Sequence, residues 1–241
     1  MRGFAISILV LAAFASPAAA GEAPLDFAFS YPPQVAAIPE LRAWFDTEKT
    51  MLRSASLAEA VADQRDAAKE QRPFHAYTTD RTWKVVTDTP RFLSLSMEGY
   101  DYTGGAHGNT AFASLVWDKK AKARRTTMSF FTSAEVLRVA LGKDFCRRLD
   151  AERDEKRSGG DTGGLPEFDK CIDATKQAVI LGSSTRKAFD RIGILIPPYE
   201  AGPYSDGTYE VTMPVNAAII AAVKPEWRSY FAARAGSRGT P

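Results

Sequence analysis

The stretch Tyr100-Asp-Tyr-Thr-Gly-Gly-Ala-His-Gly-Asn-Thr110 separates two runs of strand-type residues. Phe92, Leu93, Leu95 and Met97 precede it, and Ala111 to Trp117 follow it. Alternating runs bounded by a turn cluster read as neighbouring strands. Glycines 104, 105 and 108 allow positive φ and close approach of another chain segment. They leave the His107 ring, the Asn109 amide and several backbone amides at a loop tip. A purely structural role is open as well: the glycines make the turn, and His107 locks it by bonding a nearby carbonyl.

Toward the N-terminus, Leu25-Asp-Phe-Ala-Phe-Ser-Tyr31 alternates and reads as a first strand, stopped by Pro32 and Pro33. A long helix is expected from about Pro39 to Gln71, with Pro39 in its first turn and Glu40 where the helix dipole favours an acid. Leu41, Trp44, Phe45 and Leu52 mark its apolar face, which Ala55 and Ala62 extend. Two strands follow, Phe74 to Thr87 and Phe92 to Tyr102, with Trp83, Val85, Leu93, Leu95 and Met97 as core candidates. Beyond Trp117, a turn at Asp118 to Ala123 leads into a strand from Arg124 to Met128.

Thr132 or Ser133 caps a second helix, Ala134 to Lys156, with Val136, Leu137, Leu141, Phe145 and Leu149 on its buried side. A short helix at Glu167 to Lys176 comes next. Strands at Ala178 to Leu181, Ala188 to Ile196 and Tyr209 to Met213 then lead to a closing helix from Pro214 to Val223. The expected fold class is α+β, with antiparallel sheets packed on the long N-terminal helix and the second, mid-chain helix. The expected organisation is an N-terminal subdomain over 21–130 and a C-terminal one over 131–241, joined in one compact unit.

Residues 1–20 stand apart from this pattern. Arg2, the apolar run Phe4 to Phe14 and the small residues of Ser16-Pro-Ala-Ala-Ala20 read as a secretory signal peptide cut after Ala20. The expected location is therefore periplasmic or secreted. No later run is long enough to span a membrane. Removing residues 1–20 takes only Arg2 from the 31 basic residues, leaving 30 against 29 acidic ones. That balance argues against nucleic acid or an anionic membrane as the main partner. Cys146 and Cys171 are the only cysteines, and in an exported chain an even pair reads as a disulfide, with two buried thiols as the alternative.

Catalytic signatures are missing from the sequence: there is no His-Glu-x-x-His, Gly-x-Ser-x-Gly, phosphate loop or dinucleotide fingerprint. With only His75 and His107, a multi-histidine metal site is excluded in practice. No cofactor and no metal are expected. A second segment, Ile196-Pro-Pro-Tyr-Glu-Ala-Gly-Pro-Tyr-Ser-Asp-Gly-Thr-Tyr-Glu-Val-Thr-Met-Pro214, offers Tyr199 and Tyr204 as flat amphipathic faces. Pro203 and Gly207 can equally shape a tight connection with both tyrosines turned inward.

Taken in order, Tyr102-Thr-Gly-Gly-Ala-His-Gly-Asn109 and the Pro-Tyr-Glu-x-Gly-Pro-Tyr segment resemble the paired extracytoplasmic domains of the RsiV-like and PdaC-like families. The resemblance implies an α+β fold and a binding role. One such family member is the lysozyme-binding region of an anti-sigma factor, and another is the non-catalytic N-terminal part of a peptidoglycan deacetylase. The leading expectation is an exported, non-catalytic module that recognises a lysozyme-like hydrolase or a cell-wall glycan through Tyr102, Gly104, Gly105, His107, Asn109, Tyr199, Glu200 and Tyr204. The alternative is an envelope hydrolase with His107 as acid or base and Asp101 or Glu200 as its orienting carboxylate. A structural envelope protein is the third reading.

Overall fold

The computed structural model describes residues 23–157 and 165–234. The expected signal peptide, the glycine-rich loop before Leu165 and the tail beyond Arg234 lie outside them. The chain runs β1 (Leu25–Ser30), α1 (Pro33–Ala36), α2 (Pro39–Glu70), β2 (Tyr77–Asp88), β3 (Phe92–Tyr102), β4 (Asn109–Asp118), β5 (Ala123–Arg125), α3 (Ala134–Arg157), β6 (Ala178–Gly182), β7 (Arg191–Ile196), β8 (Tyr209–Pro214) and α4 (Ala217–Ala222). The architecture is α+β: a five-stranded sheet ordered β1-β2-β3-β4-β5 and a three-stranded sheet ordered β6-β7-β8.

Pairing is antiparallel except at one edge, where β1 runs parallel to β2. The expected antiparallel sheets are present, with this one parallel pair added at the edge. Parallel neighbours need a long crossover, and α2 supplies it. Pro39 stands at its first position, and Gln71 ends it in the left-handed conformation at φ 57°.

Alternation along the strands sets the layers. Leu93 and Leu95 of β3, with Leu115 and Trp117 of β4, are buried with Leu41 and Phe45 of α2. Phe92 and Val116, of opposite parity, join a second core with Phe130, Phe189 and the α3 residues Leu137, Leu141, Phe145 and Leu149. The α3-facing side of the small sheet carries Val179, Leu181, Ile192, Ile194, Ile196, Val211 and Met213 in this same core. Each fully buried Leu, Ile or Phe contributes roughly 2 kcal/mol of transfer free energy.

Several expected details shift for physical reasons. On α2 the buried small residues are Ala60 and Ala67, not Ala55 and Ala62, which point to solvent. The true stripe passes through Ser56, whose hydroxyl accepts a hydrogen bond from Thr79 at 3.1 Å. Val136 is 41% exposed because it precedes the i, i+4 stripe that begins at Leu137. Ser133, not Thr132, caps α3 by accepting the Val136 N–H at 3.1 Å. That helix is interrupted at Gly142, where φ is 46° and ψ is −142°.

The segment expected as a helix over Glu167 to Lys176 is instead two 3-10 turns, Pro166–Asp169 and Ala174–Lys176. Lys170 between them is extended, and its carbonyl is drawn to the Arg153 guanidinium at 2.9 Å. The strand expected to reach Met128 ends at Arg125 and gives way to a 3-10 turn, Thr127–Phe130. The strands expected from Phe74 and Ala188 begin at Tyr77 and Arg191. The Asp190 carboxylate accepts the Ser184 N–H at 2.8 Å and holds the preceding turn out of the ladder. The closing helix starts at Ala217, because the Asn216 side chain caps it on the Ile219 N–H at 2.9 Å.

Cys146 and Cys171 form the expected disulfide, closing a sequence separation of 25 residues. A loop of that size restricts the unfolded chain by about 3 kcal/mol. The bond is consistent with an extracytoplasmic domain. No helix among the described residues is long and apolar enough to cross a membrane.

A buried ion cluster ties the end of β4 to its surroundings. Asp118 has no solvent exposure, and accepts from Arg91 at 2.7 and 2.9 Å, from Arg125 at 3.0 Å, and from the Lys120 and Ala121 N–H groups. Burial pushes its carboxyl up, but the bonds from Arg91, the Ala121 N–H and Arg125 overcome this and lower it to about 2. Because the folded value lies below the unfolded one, the stabilisation is complete above the unfolded value and is lost as pH falls toward about 2. Its size is about 2 kcal/mol. Urea denaturation as a function of pH should therefore show Asp118→Asn less stable than the native chain at pH 7 by at least that amount. The gap should narrow between about pH 4 and pH 2; a gap constant across that range would contradict the assignment.

Candidate functional site

The two motifs singled out in the sequence, 92 residues apart at His107 and Tyr199, meet in space. The turn after β3 carries Gly104 at φ 86°, the one position there that needs glycine for its backbone angle. Gly105 and Gly108 do not adopt positive φ, so that expectation is corrected. Gly108 serves closeness instead: a Cβ on it would lie 2.3 Å from Cζ of Tyr100, whose ring covers the turn.

His107 is the joint. Its Nδ1–H donates to the Gly108 carbonyl at 3.0 Å, which leaves Nε2 to accept from the Tyr199 hydroxyl at 3.1 Å. Its ring stacks on Tyr204 with centroids 3.9 Å apart and planes 21° apart. The Tyr204 hydroxyl donates to the same Gly108 carbonyl at 3.1 Å. Tyr199 and Tyr204 lie 5.6 Å apart, centroid to centroid. Tyr199 is 51% exposed and its backbone φ is 71°. Positive φ in a bulky residue is costly and persists only where the surroundings impose it. Here the Tyr199 N–H donates to the Gly202 carbonyl at 3.1 Å, closing the loop on itself.

The loop that presents both tyrosines is held from below by α3. Arg153, almost wholly buried, donates to the Ala201 carbonyl at 2.9 Å and to the Lys170 carbonyl at 2.9 Å. One turn on, Arg157 pairs with Asp206 at 2.8 Å. The Tyr209 hydroxyl donates to the same Asp206 oxygen. Burial raises Asp206, but the bonds from Tyr209 and Arg157 leave its carboxyl below the ordinary value. Burial and the Asp206 carboxylate push Tyr209 up to about 12. Gly202 sits on this cluster, and a Cβ there would lie 2.4 Å from Asp206 Oδ2 and 2.4 Å from the Tyr209 oxygen. Gly207, at φ 70°, then turns the chain into β8.

Among the sequence-predicted binding residues, His107, Tyr199 and Tyr204 share one contact network. Gly104 and Gly105 shape the turn beside it, Asn109 is exposed at the start of β4, and Tyr102 is half-buried at the end of β3. The carboxylates named for catalysis are engaged elsewhere. Asp101 binds Arg81 at 2.8 Å, and Glu200 accepts from the Gln177 amide at 2.9 Å. Neither touches the imidazole. Among the described residues, no group of three or more His, Cys, Asp or Glu side chains is arranged to hold a metal ion. Sequence reading missed Tyr100, Arg153, Arg157 and Gly202. The arginines were hidden in the charged run Arg147 to Arg157, where the only signal is their i, i+4 spacing.

Residues 22–110 match the family model described as Deacetylase PdaC. Over these residues the chain is similar to that family. The match ends just past the Gly-Gly-Ala-His turn, so the tyrosine loop lies outside it. Among solved structures, the chain is similar to a DUF3298 family protein from Pseudomonas aeruginosa PAO1, with 16% identity, TM-score 0.42 and 72% of each chain covered. It is also similar to a member of the same family from Bacteroides fragilis NCTC 9343, with 16% identity, TM-score 0.45, and 75% of this chain and 71% of that one covered. A search of curated proteins finds none that matches.

Two substitutions separate the supports of the site. Gly202→Ala should cost about 1–3 kcal/mol, because three polar partners crowd the added methyl. Gly105→Ala, whose new Cβ meets nothing nearer than 3.9 Å, should stay within about 0.5 kcal/mol of the native chain. Urea midpoints of the two variants check this, and equal losses would contradict the placement of Gly202.

Proposed function

We propose that this chain is an exported, non-catalytic recognition domain that binds a cell-envelope partner through the face formed by His107, Tyr199 and Tyr204. The supporting observation is the convergence of the two motifs on the Gly108 carbonyl. His107 stacks on Tyr204 there and Tyr199 is tilted against both, with hydroxyls and ring nitrogens already engaged, and Tyr199 still offers half its surface to solvent. Aromatic groups fixed in this way lose little conformational freedom on binding, which favours them as interface anchors. The partner is a lysozyme-like hydrolase or, in its place, the glycan of peptidoglycan. The PdaC-like segment and the disulfide support an extracytoplasmic setting.

A hydrolytic role would require a carboxylate to orient the imidazole. Asp101 and Glu200 make their hydrogen bonds with Arg81 and Gln177. Binding is therefore the reading the contacts favour.

Retention of the purified chain on immobilised lysozyme and on isolated sacculi tests the proposal. At least one support should retain it, and Tyr199→Ala should weaken that retention by at least about tenfold with an unchanged thermal midpoint. Retention by neither support would end this reading. Retention that is insensitive to Tyr199→Ala would move the site elsewhere.

A further inference from the structure

Besides the motif face, the two sheets enclose a cleft. The small sheet buries one face on α3, and its reverse face looks toward the side of the large sheet that turns away from α2. Across the gap, Lys84, Ser96, Glu98 and Phe112 face Leu195 and Glu210 around a cavity of about 360 Å³. That volume lies in the range of small-ligand sites. Facing sheets ordinarily interdigitate apolar side chains at about 10 Å separation. Here the facing rows mix Lys84, Ser96, Glu98 and Glu210 with Phe112, Ile180 and Leu195, and the space between them stays open.

Three polar side chains of the cleft, all reachable by solvent, have no partner within the described residues. Ser96, Thr208 and Glu210 have no side-chain hydrogen bond or ion pair among the described residues, and the half-buried Phe112 ring meets no other ring there. Lys84 and Glu98 neutralise each other at 3.1 Å. The cleft continues past Ile180 and Val86 into a smaller recess of about 160 Å³ beside Gly182 and Gly193, which fits a ligand longer than one ring. At Gly193 a Cβ would lie 2.7 Å from Ile180 Cγ1, so the absence of a side chain lets the two strands close up beneath the recess.

We infer that this inter-sheet cleft is a binding site for an uncharged oligosaccharide, separate from the His107–Tyr199–Tyr204 face. Carboxylate and hydroxyl acceptors outnumber the cations Lys84 and Arg191 in the cleft, which suits a ligand rich in hydroxyl donors. The Phe112 ring offers a flat apolar surface for the C–H face of a sugar. The ladder hydrogen bonds of the central strands β3 and β7 are already made on both sides, so an extended peptide finds no free backbone along either of them.

Titration of the full exported chain, followed by backbone amide NMR shifts, tests this. The probes are a β-1,4-linked N-acetylglucosamine hexamer, a β-1,4-linked glucose hexamer and hexalysine. One or both sugars should shift the amides of Ser96, Phe112, Thr208 and Glu210 at millimolar concentration or below. Phe112→Ala and the surface variant Glu210→Gln should each weaken binding by at least about fivefold, and Met51→Ala on the exposed face of α2 should leave it unchanged. The inference is overturned if neither sugar binds at about 10 mM, if binding survives both cleft variants, or if hexalysine alone binds. Loss of binding with Tyr199→Ala instead would assign the sugar to the motif face and likewise overturn the cleft.

Discussion

The carbonyl of Gly108 accepts two hydrogen bonds from parts of the chain far apart in sequence, and the rest of the site depends on it. One donor is the imidazole of the next residue back, and the other is the Tyr204 hydroxyl. A carbonyl oxygen has two acceptor sites, so both can be filled without competition. Filling both fixes the His107 tautomer, and the tautomer in turn makes Nε2 the acceptor for Tyr199. Gly108 has no side chain, and this lets the Tyr100 ring close over the same residue. A turn in the large sheet and a loop of the smaller unit thus become one surface.

That surface rests on a second set of fixed groups. Arg153 and Arg157 lie one turn apart on α3 and reach the underside of the tyrosine loop at Ala201 and Asp206. Arg153 also binds Lys170, next to the Cys171 end of the disulfide. A buried guanidinium is tolerated because its donors are met by carbonyls and carboxylates. The disulfide therefore tethers the same segment that supplies a carbonyl to the arginine beneath the site. Rigidity of the loop follows from the helix, and the unfavourable φ of Tyr199 is sustained by that rigidity.

Much of the fold was legible in the sequence because it follows from periodicity. The alternation in β3 and β4, the long helix started by Pro39 and the apolar stripe from Leu137 to Leu149 all appear where the pattern places them. What failed was local competition with tertiary contacts. Lys170 reads as helical, yet its carbonyl bonds Arg153 and the helix breaks into two turns. Ala55 and Ala62 are as apolar as Ala60 and Ala67, so composition alone could not choose between adjacent faces of α2. At the site, glycine, histidine and tyrosine content identified the two motifs. Their meeting, and the role of Arg153 under them, depends on packing between segments whose sequence separation hides it.

The central claim is that the Gly-Gly-Ala-His turn and the tyrosine loop form one rigid face in the free protein. The most direct measurement is proton–proton cross-relaxation between the His107 imidazole and the rings of Tyr199 and Tyr204 in solution. The account predicts strong contacts from His107 to Tyr204 and weaker ones to Tyr199, in keeping with ring centroids 3.9 and 5.9 Å away. A His107 ring with no contact to either tyrosine, in a chain that is otherwise folded, would contradict it.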